Sequence, residues 1–451
     1  MPKTRVVDGY LLLIACCLFA GCAEPTGETT PDAQQVSANS ANAGAAREPV
    51  ALNDLSKITV GEDDWPWWRG PGLNNHAAAD QNPPLRWSEK EHVLWRVELA
   101  GTGHATPCVF GDRIFLPAGD PATKSIWIVC LDRATGKRLW QTEVYRGPFP
   151  KVHTNNSPAS ATPACDGQRV YFPYQSEEAI CMAAVGLGGK VAWNKAVGRY
   201  KSIQGYSASP ALYKSMVIVP VDGSLGNNLV ALRRSTGETA WRAPLPKGLE
   251  SYASPLVAHV AGRDQLVVIG GKDTSSYDPA GGKLLWKCDG PADYCAATVA
   301  FDQDTIYATG GYPQKALLAI RADGAGDVTQ THLRWQSDKK AGYVPSPLLH
   351  RGLLYAVSDK GLMRCYDTAD GRVVWEHATK APFYSSPVLV GERIYVFDRE
   401  GKGYIIKAGR QFKLLATNEL PDGVFATPVI LDGRIYLRTL KDFYCLAEIK
   451  L

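Results

Sequence analysis

From about residue 92 onward the chain alternates apolar and polar side chains in short runs that end at polar turns. Period-two alternation over such short runs predicts half-buried strands. The runs recur as a unit. One copy begins at Ser346-Pro347, passes through Leu354-Tyr355 and Cys365-Tyr366-Asp367, and ends at Gly371 and Trp375. Other copies begin at Thr106-Pro107, Thr162-Pro163, Ser209-Pro210, Ser254-Pro255, Ala297-Thr298, Ser386-Pro387 and Thr427-Pro428, which makes eight starts 40 to 56 residues apart. Proline fixes φ and lacks a donor, so it suits the first residue of a strand. Gly391-Glu392-Arg393-Ile394-Tyr395 and Gly433-Arg434-Ile435-Tyr436 read as hairpin turns entering strands. In Asp132-Arg133-Ala134-Thr135-Gly136, Asp bonds its own downstream backbone and Gly supplies a positive φ.

Four short strands per unit at this spacing predict propeller blades. The eighth copy has strands at Pro428, Ile435-Tyr436 and Phe443-Tyr444-Cys445-Leu446, with no Trp-bearing fourth after them. An orphan fourth strand, Val93-Leu94-Trp95-Arg96-Val97, precedes the first copy. The expected fold is therefore all-β: an eight-bladed β-propeller over residues 92–451, closed by an N-terminal strand that completes the last blade and leaves no open edge.

Composition agrees. Gly 43, Pro 30, Trp 12 and Tyr 20 beside only four Met suit tight turns and strands rather than a helical bundle. Length alone, 451 residues, would suggest three domains at roughly 150 residues each, but the repeat makes length count blades. A net charge of +4 is too small to argue for nucleic acid.

Lys3 and Arg5 precede an apolar run from Tyr10 to Ala20, too short for a permanent span, so residues 1–21 read as a signal peptide. The run ends Leu18-Phe19-Ala20-Gly21-Cys22, which resembles a bacterial lipobox and makes Cys22 the candidate lipidation site. Ala23-Glu24, without Asp after the cysteine, resembles the outer-membrane default. The expectation is a protein lipid-anchored in the cell envelope at the outer membrane, facing the periplasm. Ordinary cleavage to a soluble exported protein is the alternative. Residues 22–62, rich in Ala, Asn, Ser, Thr, Gln and Pro, read as a flexible tether. Residues 63–91 open with Trp65-Pro66-Trp67-Trp68-Arg69-Gly70-Pro71, a segment expected to dock on the ring across one mouth of the channel, with ligand stacking as the alternative.

The repeat resembles the PQQ-like (quinoprotein) β-propeller family, whose tryptophan-docking motif is Ala-x-Asp-x-x-x-Gly-x-x-x-Trp. Asp132, Gly136 and Trp140 match it, as do Asp278, Gly282 and Trp286, and Asp367, Gly371 and Trp375. Blade three keeps Gly237 and Trp241 but has Arg233 at the Asp position. Blade two keeps Gly189 and Trp193, blade five stretches its loop before Trp335, and blade seven has Leu415 where Trp would fall. The resemblance assigns Trp95, Trp140, Trp193, Trp241, Trp286, Trp335 and Trp375 to docking of fourth strands, leaving Trp87 and Trp127 unassigned.

For activity the resemblance offers a PQQ-dependent dehydrogenase, in which the quinone stacks on Trp beneath a disulfide of adjacent cysteines, beside calcium and an Asp base. Here the adjacent pair Cys16-Cys17 lies in the signal, and no Cys-x-x-Cys-His appears. No catalytic residue is placed and no cofactor expected; PQQ with calcium belongs only to that alternative. The overall plan (lipobox, tether, eight blades, closing N-terminal strand) resembles the BamB family of outer-membrane assembly lipoproteins. That implies a non-catalytic monomeric scaffold with a protein partner at the envelope. A third reading is carbohydrate or other cell-surface ligand binding in the central funnel.

Eight cysteines fall in the propeller. Cys130, Cys181, Cys365 and Cys445 are read as one third-strand slot, filled by Ala231 and Ala319 in blades three and five. Cys288 and Cys295 bracket an inter-blade loop and are the candidate disulfide. The eight histidines show no metal-ligand spacing, so no metal is expected. The loops before the first strands should ring the channel mouth. They carry His104, Asn155, Asn156, Tyr206, Tyr252, Tyr294, Tyr343, Phe383, Tyr384 and Phe425, with His153, Glu250, Asp293, Lys151 and Lys380 nearby. Such a funnel suits a planar ligand, a sugar or a partner loop; packing of the rings into blade seams is the competing reading.

Overall fold

The computed structural model describes residues 58–245, 250–314, 316–338 and 342–449, and these form strands and loops without a helix. Cys22, the signal peptide and most of the tether lie outside the described residues. Eight sheets form, seven from consecutive stretches of chain and one from both ends, and all their pairings are antiparallel but one. Blade one, for example, runs Cys108–Phe110, Arg113–Asp120, Ser125–Asp132 and Arg138–Arg146 from the axis outward.

The ring closes as the orphan strand predicts. Val93–Glu98 pairs antiparallel with Asp442–Ala447, placing Trp95 opposite Cys445 and Val97 opposite Phe443. The Asp442–Ala447 strand is thereby paired on both sides, and Val93–Glu98 becomes the outer strand of blade eight.

Five of the docking tryptophans, Trp95, Trp140, Trp193, Trp241 and Trp335, lie on the glycine of the following blade's turn. A Cβ on Gly136 would meet Trp95, on Gly189 Trp140, on Gly237 Trp193, and on Gly282 Trp241. At Gly371, φ is +71° and an added Cβ would stand 2.4 Å from Trp335. Only glycine tolerates both constraints. The indole N–H groups of Trp140, Trp193, Trp335 and Trp375 donate to Leu187, Arg234, Thr368 and Gly409 carbonyls of the next blade. Trp286 differs: it is fully buried and donates to Gln265 of its own blade. The stretched loop of blade five explains this, because Gly326–Asp327 adds a parallel fifth strand outside Trp286.

Two slot assignments change. The docking position in blade seven belongs to Ala416, which pairs with Ile405 as Trp375 pairs with Cys365; Leu415 is the bulged residue before it. Trp87 is buried on the same blade, against Phe397 and Gly403, with its backbone N–H bonded to Asn418 two residues along that same strand. In blade two the residue opposite the docking Trp is Ala184, whereas Cys181 pairs with Ala196. The slot faces the indole, so it takes Cys130, Ala184, Ala231, Ala319, Cys365 or Cys445, all small.

The seam near blades three and four buries two carboxyls. Asp222 is 2% exposed, with Asn227 donating to it, and burial raises its pKa to about 7; Asp273 is raised to about 6 for the same reason. An unfolded aspartate titrates near 3.9. As pH rises the unfolded chain therefore loses its proton first, and stability falls between about pH 4 and 7 before levelling. Asp222→Asn is expected to stabilise the fold by about 1–3 kcal/mol at pH 8 and negligibly near pH 4. Urea denaturation at both values measures it, and an equal effect at the two pH values would contradict the assignment.

Candidate functional site

Propeller geometry brings the loops before the inner strands to one mouth of the channel, and the cavity there measures about 370 Å³. His104, Asn155, Asn156, Tyr252, Tyr343, Tyr384 and Phe425 of the expected rim line it, with His153. Tyr206, Tyr294 and Phe383 do not. Tyr206 is buried edge-on against Tyr200 and donates to the Pro220 carbonyl. Phe383 is fully buried against Tyr404, and Tyr294 pairs its backbone with Tyr312. Tyr206 and Phe383 fill seams, while half-buried Tyr294 sets its ring against the exposed Tyr312. Glu250, Asp293, Lys151 and Lys380 also stay out of the lining; Glu250 instead accepts the Tyr252 hydroxyl at 2.8 Å.

One side of the rim is a fixed polar and aromatic stack. His104 lies 4.4 Å from Phe425, nearly parallel. The Arg399 guanidinium sits 4.7 Å from the Tyr384 ring centroid and 4.8 Å from that of Phe425. It also donates to the Asn155 side-chain oxygen at 2.8 Å, and the Asn155 amide donates to the Tyr384 hydroxyl at 3.2 Å. Arg399 thus orients both Asn155 and Tyr384. Burial first, then the charges of Arg438 and Arg399, lower the His104 pKa to about 3, so its imidazole is neutral at physiological pH. Nothing in the local sequence distinguishes Arg399 from an ordinary solvated hairpin arginine.

Below the rim runs a belt of hydroxyls. The backbone N–H of Thr162 donates to Ser209, that of Ser209 to Ser254, and that of Thr298 to Ser346. Ser346 donates to Ser386, Ser386 to Thr427, and Thr427 to Thr106. The Ser/Thr-Pro dipeptide therefore has two jobs: proline starts the strand, and the hydroxyl ties neighbouring blades together across six of the eight seams. The recurrence of Ser or Thr at these starts was the available signal.

Trp68 floors the cavity, its indole donating to Thr298 Oγ1 at 2.8 Å. The N-terminal segment holds it there by crossing the inner strands: Trp65 exchanges backbone hydrogen bonds with Val109, Pro66 accepts from Cys165, buried Arg69 donates to the Pro347 carbonyl, and Asn75 and Ala77 bracket Leu389. Trp65 and Trp68 thus sit against the inner strands of the ring.

The expected Cys288–Cys295 disulfide is not formed. Both thiols are free and buried. Cys288 sits on the outer strand opposite Thr274, while Cys295 bridges Ser251 on the way to the next inner strand, so register separates them. Nor do the channel residues suit a calcium-bound quinone. The lining contains no Asp or Glu, and among the described residues no group of three His, Cys, Asp or Glu could hold a metal ion.

Comparison with known proteins gives a mixed neighbourhood. A polyvinylalcohol dehydrogenase of a Pseudomonas species is 23% identical, covering 77% of this chain and 72% of that protein. Outer membrane protein assembly factor BamB of Yersinia pestis is 21% identical, covering 73% of this chain and 70% of that protein. Among solved structures, BamB of Moraxella catarrhalis superposes with a TM-score of 0.56 at 15% identity, over 79% of this chain and 97% of that one. A quinohemoprotein alcohol dehydrogenase of Comamonas testosteroni gives 0.61 at 13% identity, over 88% and 84%. These two share the fold. A family profile described as outer membrane protein assembly factor BamB matches residues 87–219, 187–319 and 324–412. On that match the chain belongs to the BamB family of PQQ-like repeat propellers.

Proposed function

We propose that this protein is a non-catalytic binding propeller of the cell envelope, held there through Cys22 and engaging a protein partner with its rim loops. The observation that carries this reading is the uncharged channel lining. A quinone with its calcium needs carboxylates as ligands and base, and a metal without them is poorly held. Family membership supports the assembly-type role, and the resemblance of Leu18-Phe19-Ala20-Gly21-Cys22 to a lipobox supports lipidation at Cys22. Crosslinking and pull-down of the lipidated protein from membranes are expected to recover a defined outer-membrane partner; recovery of none would overturn the reading.

The dehydrogenase reading has the polyvinylalcohol dehydrogenase likeness in its favour. Its test is direct. Pyrroloquinoline quinone and calcium added to the pure protein are expected to leave no bound chromophore after gel filtration. A retained chromophore that bleaches with an alcohol substrate would establish the enzyme instead.

A further inference from the structure

We infer that the funnel is a saccharide site, taking a short neutral sugar between its rim and Trp68. This rests on the reading of the protein as a binder rather than an enzyme, and it adds the ligand class.

The first argument is charge. The lining includes no Asp, Glu, Lys or Arg. The nearest charges, Arg399 and Arg438, are not part of the lining, and Arg399 is already engaged with Asn155, Tyr384 and Phe425. An ionic ligand entering this cavity would therefore lose water without forming a direct ion pair, which is costly. His104, the titratable group deepest in the stack, stays neutral at physiological pH.

The second is hydrogen-bond capacity. Thr106, Ser209, Ser254, Ser346, Ser386 and Thr427 all line the cavity, and each hydroxyl oxygen already accepts one backbone N–H. A hydroxyl has one donor and two acceptor sites. Each therefore keeps its proton and one lone pair. At the rim, the Tyr384 hydroxyl accepts from Asn155 and likewise keeps its proton. The result is a collar of paired donors and acceptors, the pattern that sugar hydroxyls match.

The third is shape. Tyr252, Tyr343 and Trp68 add aromatic surface to the same cavity, which C–H faces of a pyranose can cover. At about 370 Å³ the space lies within the range of small-molecule sites, about 300–1,000 Å³.

Calorimetric titration of the full-length protein with neutral trisaccharides of glucose, galactose and N-acetylglucosamine tests this. At least one is expected to bind with a millimolar or tighter Kd. Tyr343→Ala and Asn155→Ala should each weaken it roughly tenfold or more. Tyr312→Ala, on a side chain 61% exposed outside the cavity, should leave it unchanged. Circular dichroism confirms folding of each variant; should Tyr343→Ala fail to fold, Asn155→Ala decides alone. Absence of binding for all three sugars, survival of binding in the funnel variants, or tighter binding of a trigalacturonate than of its neutral counterpart would each overturn the inference. If the sugars fail while pull-down still recovers a partner, the binding role stands and only the ligand class falls.

Discussion

A chain beginning at residue 99 is expected to lose cooperative folding, whereas one beginning at residue 58 should unfold in a single transition like the full protein. The shorter chain lacks Val93–Glu98, so the Asp442–Ala447 strand becomes an open edge in blade eight. It also lacks Trp95, leaving Gly136 without its cover, and Trp68, leaving the channel without a floor. An uncovered apolar strand edge is a template for pairing between chains. Thermal melts by circular dichroism and gel filtration read the result: the shorter chain should melt broadly and elute as aggregate. A sharp monomeric transition unchanged in midpoint would mean that closure contributes little.

The second large effect is expected at Asp166. Its carboxylate is fully buried and bonds the equally buried Arg234 guanidinium across the seam between blades two and three. It also accepts from the Tyr171 hydroxyl at 2.8 Å and from the backbone N–H groups of Gln168 and Arg169. Asp166→Ala would strand a buried cation, a change that costs about 3–5 kcal/mol. The double variant Asp166→Ala/Arg234→Met should recover much of that loss, because the charge goes with its partner. Urea denaturation of both variants checks this. A single-variant loss below about 1 kcal/mol would show that water or another group replaces the carboxylate.

What the sequence made legible, and what it hid, follows from range. Blade count, strand order and closing strand are repeats of local pattern, and local pattern is written in consecutive residues. The docking tryptophans were legible because glycine and tryptophan recur at fixed spacing. The slip from Leu415 to Ala416 was not, because a β-bulge consumes a residue without leaving a signature in side-chain type. Cys181 was misplaced for a related reason: an identity match stood in for a register that pairing alone defines.

The funnel divides in the same way. That a ring of loop residues surrounds the channel mouth followed from topology, and His104, Asn155, Asn156, Tyr252, Tyr343, Tyr384 and Phe425 do line the cavity. Tyr206 and Phe383 occupy comparable loop positions yet turn into seams, and Tyr294 turns to Tyr312 outside the cavity. A shift of one residue in an extended loop reverses the direction of a side chain, so spacing could not separate them.

By itself, the sequence determined the all-β propeller, its eight blades, the strand that closes it and the loops that form its mouth. Those depend on period-two patterning and on turns whose chemistry is local. Only the tertiary structure decided which rings face the channel, that Trp68 floors it, that Arg399 braces the rim, and that the lining is without charge. Those facts arise where blades meet across hundreds of residues of chain, and long-range contacts leave no mark in the order of neighbours.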